Sequence, residues 1–375
     1  MRASAKKVAG LVLVNAIVFF VLFESMAALF MRQKIQMLYQ PYLDFSFLSS
    51  DQGFGKGYPR GYFVADEVKG FDIAKAHQPM AVNSIPPEAG EYNIWSNDLG
   101  CFDDPERPAS PYAVYLAGDS QTWGYSPFAA KFGSLLQERL GQPVAKCGVT
   151  HTGQRHQFEK FLEVSAQLGY FPPVVVVNVV PNDLTNDYLF PEATEIDGYL
   201  VNQARLAGDS SDSPSQVRTS RDDLLEAYRN FRSGLSQSRL WKALDPRHYF
   251  ASAVLAAEAL KRWSSPVQEP ESAPAYAIDS ALGTPNRQVF KAWAEHSRQH
   301  GYQLVVASAT MERPGFYAPF GAFLKGLNIP FWDFSAVANE KGFQPDDVRW
   351  QRDGHFNFSG NALYAEFLAE KLSAL

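Results

Sequence analysis

The sequence predicts an α/β fold, a doubly wound parallel sheet covered by helices on both faces, and three observations carry that expectation. Short apolar runs rich in β-branched residues recur at 113–117 (AVYLA), 174–180 (VVVVNVV) and 303–309 (QLVVASA), the pattern of central strands buried on both sides. Stretches with helical spacing of apolar residues separate the runs, and strands alternating with helices in this way imply right-handed crossovers. Polar segments follow the runs directly, at the carboxyl ends of the strands, where sheets of this kind present their ligands.

The first element along the chain is the apolar span Val8 to Phe30, interrupted by Asn15, Glu24 and Ser25 and preceded by Arg2, Lys6 and Lys7. A membrane crossing needs about 20 mostly apolar residues, and basic residues before it hold the N-terminus in the cytoplasm. The span therefore reads as a transmembrane anchor over residues 1–32, with the rest of the chain exported; a leader cleaved near Ser25-Met26-Ala27 is the alternative. Residues 33–110 read as a linker and N-terminal extension, and 111–375 as the α/β domain. Within that domain, Phe158, Phe161, Leu162, Ser165 and Leu168 share one helical face, as do Phe290, Trp293 and Ala294, and a closing helix carries Leu363, Phe367, Leu368 and Leu372. Ile329 to Phe334 is a candidate fourth strand. Two Ser- and Pro-rich stretches, 205–221 and 264–275, bracket amphipathic segments at Leu224, Tyr228, Phe231 and Leu235 and at 251–263. These make 190–285 a helical insertion over the active site: a lid, a surface for an envelope protein partner or a membrane-lying hairpin.

Composition excludes several functions. With 46% hydrophobic residues the chain can bury a full core, and a net charge of -6 without a Lys/Arg cluster speaks against nucleic acid. Cys101 and Cys147 are too few for a Cys-rich zinc site; whether they pair or are simply packed is open. His296 and His300 share a helix face, but HSRQH lacks the Glu of a zinc-protease helix, so the pair reads as solvated and no metal or cofactor is expected.

The chemistry concentrates in four segments. In AVYLAGDSQTWG (113–124) a buried strand ends, Gly118 permits a tight turn, and Ser120 lands where a helix begins. Its hydroxyl can attack while backbone N–H groups of the same turn receive the oxyanion. A second GDS at Gly208-Asp209-Ser210 lies in a polar loop with no strand before it and carries no chemistry. RDGHFNFSGN (352–361) offers a base, His355, with Asp353 two residues away to fix its tautomer. In VVVVNVVPNDL (174–184) the Asn182 amide follows the longest strand and can donate to an oxyanion. CGVTHTGQ (147–154) is a loop between strand and helix that offers a backbone donor at His151 or Gly153. Most of the aromatic residues are expected in the core, and Trp123, three residues past the nucleophile, is the one to watch; no residue is singled out as sugar-binding.

The order GDS, Gly-containing loop, N-D after a strand and D-x-H before the last helix resembles the four blocks of the SGNH/GDSL hydrolases, over about 113–185 and 285–375. SNDLGCFDDPER (96–107), Glu24 and Arg32 are similar to segments of membrane-anchored bacterial members. The resemblance implies a three-layer, flavodoxin-like sheet, Ser120 as nucleophile, His355 as base and Asp353 as its orienting acid. It implies an oxyanion hole from Ser120 N–H, a loop N–H at His151 or Gly153, and Asn182. Two departures stand out: His151 occupies a position where related anchored proteins carry glycine, and the D-x-H spacing is similar to polysaccharide O-acetyltransferases rather than to secreted D-x-x-H esterases. The expected activity is ester hydrolysis on O-acyl, above all O-acetyl, groups of an exported or envelope polysaccharide, by a single-pass protein of the bacterial inner membrane with its domain in the periplasm. Acetyl transfer by the same residues and a non-catalytic envelope component are the alternatives.

Overall fold

The computed structural model describes residues 12, 14–26, 58–82, 89–207, 214–229, 275–350 and 354–375. Two units divide the chain: Met1–Leu43 with Asp222–Ala273, and Asp44–Arg221 with Pro274–Leu375.

The second unit opens with two antiparallel hairpins, β1 (Phe63–Asp66) with β2 (Gly70–Ile73) and β3 (Met80–Val82) with β4 (Tyr92–Ile94). Then come β5 (Val114–Gly118), β6 (Val144–Lys146) and β7 (Val174–Val179). A second pair of hairpins follows, β8 (Ala193–Ile196) with β9 (Tyr199–Asn202) and β10 (Ala204–Ala207) with β11 (Ser215–Arg218). The last strands are β12 (Gln303–Ser308) and β13 (Phe331–Trp332). Strands β5, β6, β7, β12 and β13 form one five-stranded sheet in the order β13-β12-β7-β5-β6, and every pairing in it is parallel. This is the flavodoxin-like order, and its switch point lies between β5 and β7, from which the chain winds outward in opposite directions.

The helices that frame the sheet and its edge include α1 (Ser120–Trp123), α2 (Phe132–Leu140), α3 (Gln154–Leu168), α4 (Asp183–Leu189), α5 (Thr284–His300), α6 (Ala318–Gly326), α7 (Phe334–Glu340) and α8 (Phe358–Ser373). Successive strand residues point to opposite faces, so each strand feeds two cores. Val114, Leu116, Val176 and Val305 pack with Phe132, Leu136, Tyr364 and Phe367 from α2 and α8. Tyr115, Ala117, Val177 and Val306 pack with Phe161, Phe290, Trp293 and Phe320 from α3, α5 and α6. Helices therefore cover both faces, as the apolar runs require.

Three expectations change. Of the linker and N-terminal extension expected over 33–110, the described residues from 58 onward belong to the compact unit that holds the sheet. Lys69 pairs with Asp66, Asp72 and Glu163, and Lys160 Nζ lies 2.9 Å from Asp72 Oδ2, so buried charges fasten the first hairpin to α3. A disulfide between Cys101 and Cys147 ties the same region to the end of β6. The start of the 190–285 insertion is not helical. At Asp197-Gly198, φ is 54° and 81°, and two successive left-handed residues make the tight turn whose twist suits a hairpin, here β8–β9. Residues 221–229 are helical with Leu224 and Tyr228 buried; Phe231, Leu235 and the 251–263 segment lie outside the described residues. The third change concerns the expected transmembrane anchor. Residues 14–26 are helical, but among the described residues no helix is long and apolar enough to cross a membrane.

Candidate active site

Strand β5 ends at Gly118, where an added Cβ would stand 2.0 Å from Thr122 Oγ1, so only glycine lets the chain fold back so closely. Asp119 caps α1, its Oδ1 accepting the Gln121 N–H at 2.9 Å. Ser120 is then the first residue of the helix, and the first N–H groups of a helix have no partner within it. Its Oγ lies 2.8 Å from His355 Nε2 and donates to Asp119 Oδ2 at 3.1 Å. The serine and the histidine are thus brought together from opposite ends of the domain, at the carboxyl edge of the sheet. Asn182 follows β7, so Ser120 and Asn182 flank the switch point.

His355 sits on a turn before α8 whose flanks are firmly bonded. Trp350 N–H donates to His355 O at 2.8 Å, Gly354 N–H donates to Trp350 O at 3.2 Å, and Arg349 bridges Phe356. The Tyr125 ring packs on the imidazole with centroids 4.1 Å apart. Asp353 lies outside the described residues, so its role as orienting acid remains the expectation drawn from the sequence.

The Asn182 amide donates to Asn186 Oδ1 at 2.8 Å and, more weakly, to Asp119 Oδ2 at 3.3 Å. The longer bond is the one that yields most easily to an oxyanion forming at Ser120. In the Gly148–Gly153 loop, Val149 N–H donates to Gly118 O at 3.0 Å, which lays the loop beside the serine turn. The glycine packed on α1 is Gly148, where an added Cβ would meet Trp123 N at 2.3 Å. Gly153 instead packs on Asp187, 2.3 Å from its Oδ1 by the same measure. His151 has φ 59°, a left-handed conformation that glycine favours. The backbone thus keeps a glycine-like shape where the side chain departs from the resembling proteins.

Three buried carboxyls lie near the serine. Burial pushes Asp119 up, against the Gln121 N–H, the charge of His355 and the Asn182 amide. Burial and then the charge of Asp119 push Asp183 well up. Burial raises Asp187 to about 7, although Arg155 N–H and Asn286 bond it.

Trp123 is fully buried, its Nε1 donating to Tyr62 OH at 2.9 Å, so it is core and meets no sugar. His296 and His300 are not simply solvated: both rings pack on Phe171, and His296 Nδ1 is 3.0 Å from Tyr302 OH. Among the described residues the acidic cluster with metal-like spacing is Asp66, Asp72 and Glu163, and the Lys69 ammonium pairs with all three. A groove of about 530 Å³ lined by Asp279, Arg287, Lys291 and Phe323 contains none of the site residues. Sequence reading missed Gln121 and Tyr125, which follow the serine within a few residues and bind the histidine's turn. Their only signal was nearness to the GDS motif.

No family model and no curated protein matches the chain. Among solved structures it is similar to a lipolytic protein of the G-D-S-L family from Desulfitobacterium hafniense, with 14% identity, 68% of this chain and 97% of that one covered, and a TM-score of 0.35. An acetylxylan esterase from Geobacillus stearothermophilus gives 12% identity, coverage of 71% and 96%, and a TM-score of 0.36. A carbohydrate esterase family 2 enzyme from Corynascus thermopiles gives 12%, coverage of 72% and 68%, and 0.36. Scores of this size carry no weight for mechanism, which rests on the geometry above.

Proposed function

We propose that the chain is a serine ester hydrolase that removes O-acyl, above all O-acetyl, groups from an exported or envelope carbohydrate. The observation that carries this reading is the 2.8 Å contact between Ser120 Oγ and His355 Nε2 at the switch point of the sheet. In the proposed reaction the Ser120 O–H turns from Asp119 Oδ2 to His355 Nε2, which takes its proton as Oγ bonds to the acyl carbon. The Ser120 N–H and the Asn182 amide, released from Asp119, receive the oxyanion, with a backbone N–H of the His151–Gly153 loop as third donor. Collapse expels the sugar oxygen, which takes the proton back from His355, and water activated by the same imidazole then releases the acid. Asp353 would hold the proton of Nδ1 and stabilise the imidazolium. A sugar hydroxyl in place of that water would make the same residues an acetyltransferase.

The carbohydrate substrate is supported by the resemblance of the four sequence blocks to SGNH/GDSL proteins. Placement of the domain in the periplasm is supported by the Cys101–Cys147 bond, since disulfides persist in oxidising compartments. The test is turnover of a chromogenic acetyl ester and of acetylated oligosaccharides by wild type and Ser120→Ala. Loss of turnover by about 1,000-fold or more, with unchanged thermal unfolding, is expected. Turnover that survives the substitution refutes the reading.

A further inference from the structure

The histidine's turn is fastened to the serine's helix by one side chain, on both sides of the imidazole. Gln121, the residue after Ser120, accepts the Phe356 N–H at its Oε1, 3.1 Å away, and its Nε2 donates to Gly354 O at 3.4 Å. Residues 354 and 356 are the immediate neighbours of His355, and Gln121 is 6% exposed. A carboxamide carries an acceptor and a donor on one carbon, which is what a carbonyl and an N–H two residues apart present. The Phe356 N–H fixes which end of the amide is oxygen, because the reverse orientation would set two donors against each other. A second link joins the same turn to the segment after α1: Trp350 Nε1 donates to Tyr125 O at 3.3 Å, and the Tyr125 ring packs against the imidazole.

We infer that Gln121 is a positioning residue that sets the distance between nucleophile and base, acting through the backbone on either side of His355. The two reacting atoms belong to residues 235 positions apart, and among the described residues Gln121 is the side chain of the serine's helix that bonds the backbone on both sides of the histidine. Without the amide, the Phe356 N–H would be a buried donor without its partner, and the turn would relax to satisfy it with the imidazole attached. A misplacement on the order of 1 Å in a reacting pair costs about 100-fold in rate. The inference rests on the reading of Ser120 and His355 as nucleophile and base.

The test uses the full chain with Gln121→Met, which keeps length and volume and removes both bonds, and Gln121→Leu as a second variant should the first unfold. Kinetics on the acetyl ester are paired with ¹⁵N spectra of histidine-labelled protein, the His355 signals being assigned by His355→Gln. Expected are a fall in kcat of about 100-fold with KM within a factor of about two, and a His355 ring that passes from one tautomer in wild type to an averaged pair of nitrogen signals. Wild-type kcat and a wild-type His355 spectrum in a folded Gln121→Met protein overturn the inference. Should the wild type itself hydrolyse no ester, the proposed activity falls, and the spectra alone still decide whether Gln121 holds the ring.

Discussion

Gly148→Ala is the sharpest perturbation of the serine turn that leaves every polar group in place. A methyl group at 148 would lie 2.3 Å from Trp123 N, 2.5 Å from Thr122 C and 2.7 Å from Thr122 Cβ. Ordinary contact begins near 3.5 Å, so the overlap is about 1 Å. Two of the three atoms are backbone and cannot rotate aside, so the β6 end and α1 must separate by about that distance. Overpacking of this kind costs about 1–3 kcal/mol, several degrees in melting temperature for a domain of this size. The larger effect falls on chemistry. Helix α1 carries Ser120 and, through Gln121, the His355 turn, while the 151–153 loop stays with β6, so the serine shifts away from the loop's backbone donors and turnover drops about 100-fold. Thermal unfolding and acetyl-ester kinetics measure the two effects separately. Gly326→Ala is the control, since nothing lies within 4 Å of its added Cβ, and it should match wild type in both. A Gly148→Ala protein with wild-type melting and wild-type kcat would refute the account of how the loop seats the serine.

Two further outcomes concern stability. Reducing the Cys101–Cys147 bond, or replacing both residues with serine, frees a loop of sequence separation 46, for which the chain-entropy estimate is about 4 kcal/mol. The melting temperature should fall on the order of 10 °C, and calorimetry with and without reductant that shows no shift would contradict it. Two of the buried groups should contribute to the dependence on pH with opposite signs. Asp187 is raised to about 7 by burial, so its contribution is present below the unfolded carboxyl value of about 4 and is lost as pH rises through 7. His156 is lowered to about 4 by burial, so its contribution is present above about 6.5 and is lost as pH falls towards 4. Between pH 4 and 6.5 the two oppose each other. Asp187→Asn should therefore make the melting temperature rise more steeply with pH across that window than in wild type, and His156→Gln should make it fall. Curves parallel to wild type in both variants would show that neither group titrates as its burial requires.

What could be read in the sequence follows a physical line. Strands β5, β7 and β12 were legible because a strand covered on both faces must be apolar at every position, and Val174 to Val179 can hardly be anything else. Strand β6 was legible only as an unbounded strand before the 147–154 loop, because it has three residues and one of them is Lys146, whose ammonium is buried against Asp103 at 2.6 Å. A lysine in a short segment reads as surface, and only the partner forty-three positions away makes it core. The same reason hid residues 58–110, whose attachment runs through Lys69, Lys160, Asp72 and Glu163. Their charges suggest a solvated extension until the pairing is seen.

The site divides along that line too. Ser120, His355 and Asn182 could be picked out because each stands just past a strand or before a helix, at an edge the topology reserves for ligands. Gln121 and Tyr125 could not, because neither offers chemistry of its own: one binds backbone groups of a distant turn, the other packs a ring on an imidazole. Residues of this kind are visible only once the two ends of the chain meet. They also bear on why the histidine can be carried on a turn of such short D-x-H spacing. With Gly354 O and Phe356 N–H both held by Gln121, the ring's position is set from the serine's side of the cleft. On this account Gln121→Met should weaken activity with residue 353 unchanged, and wild-type kcat in that variant would refute it.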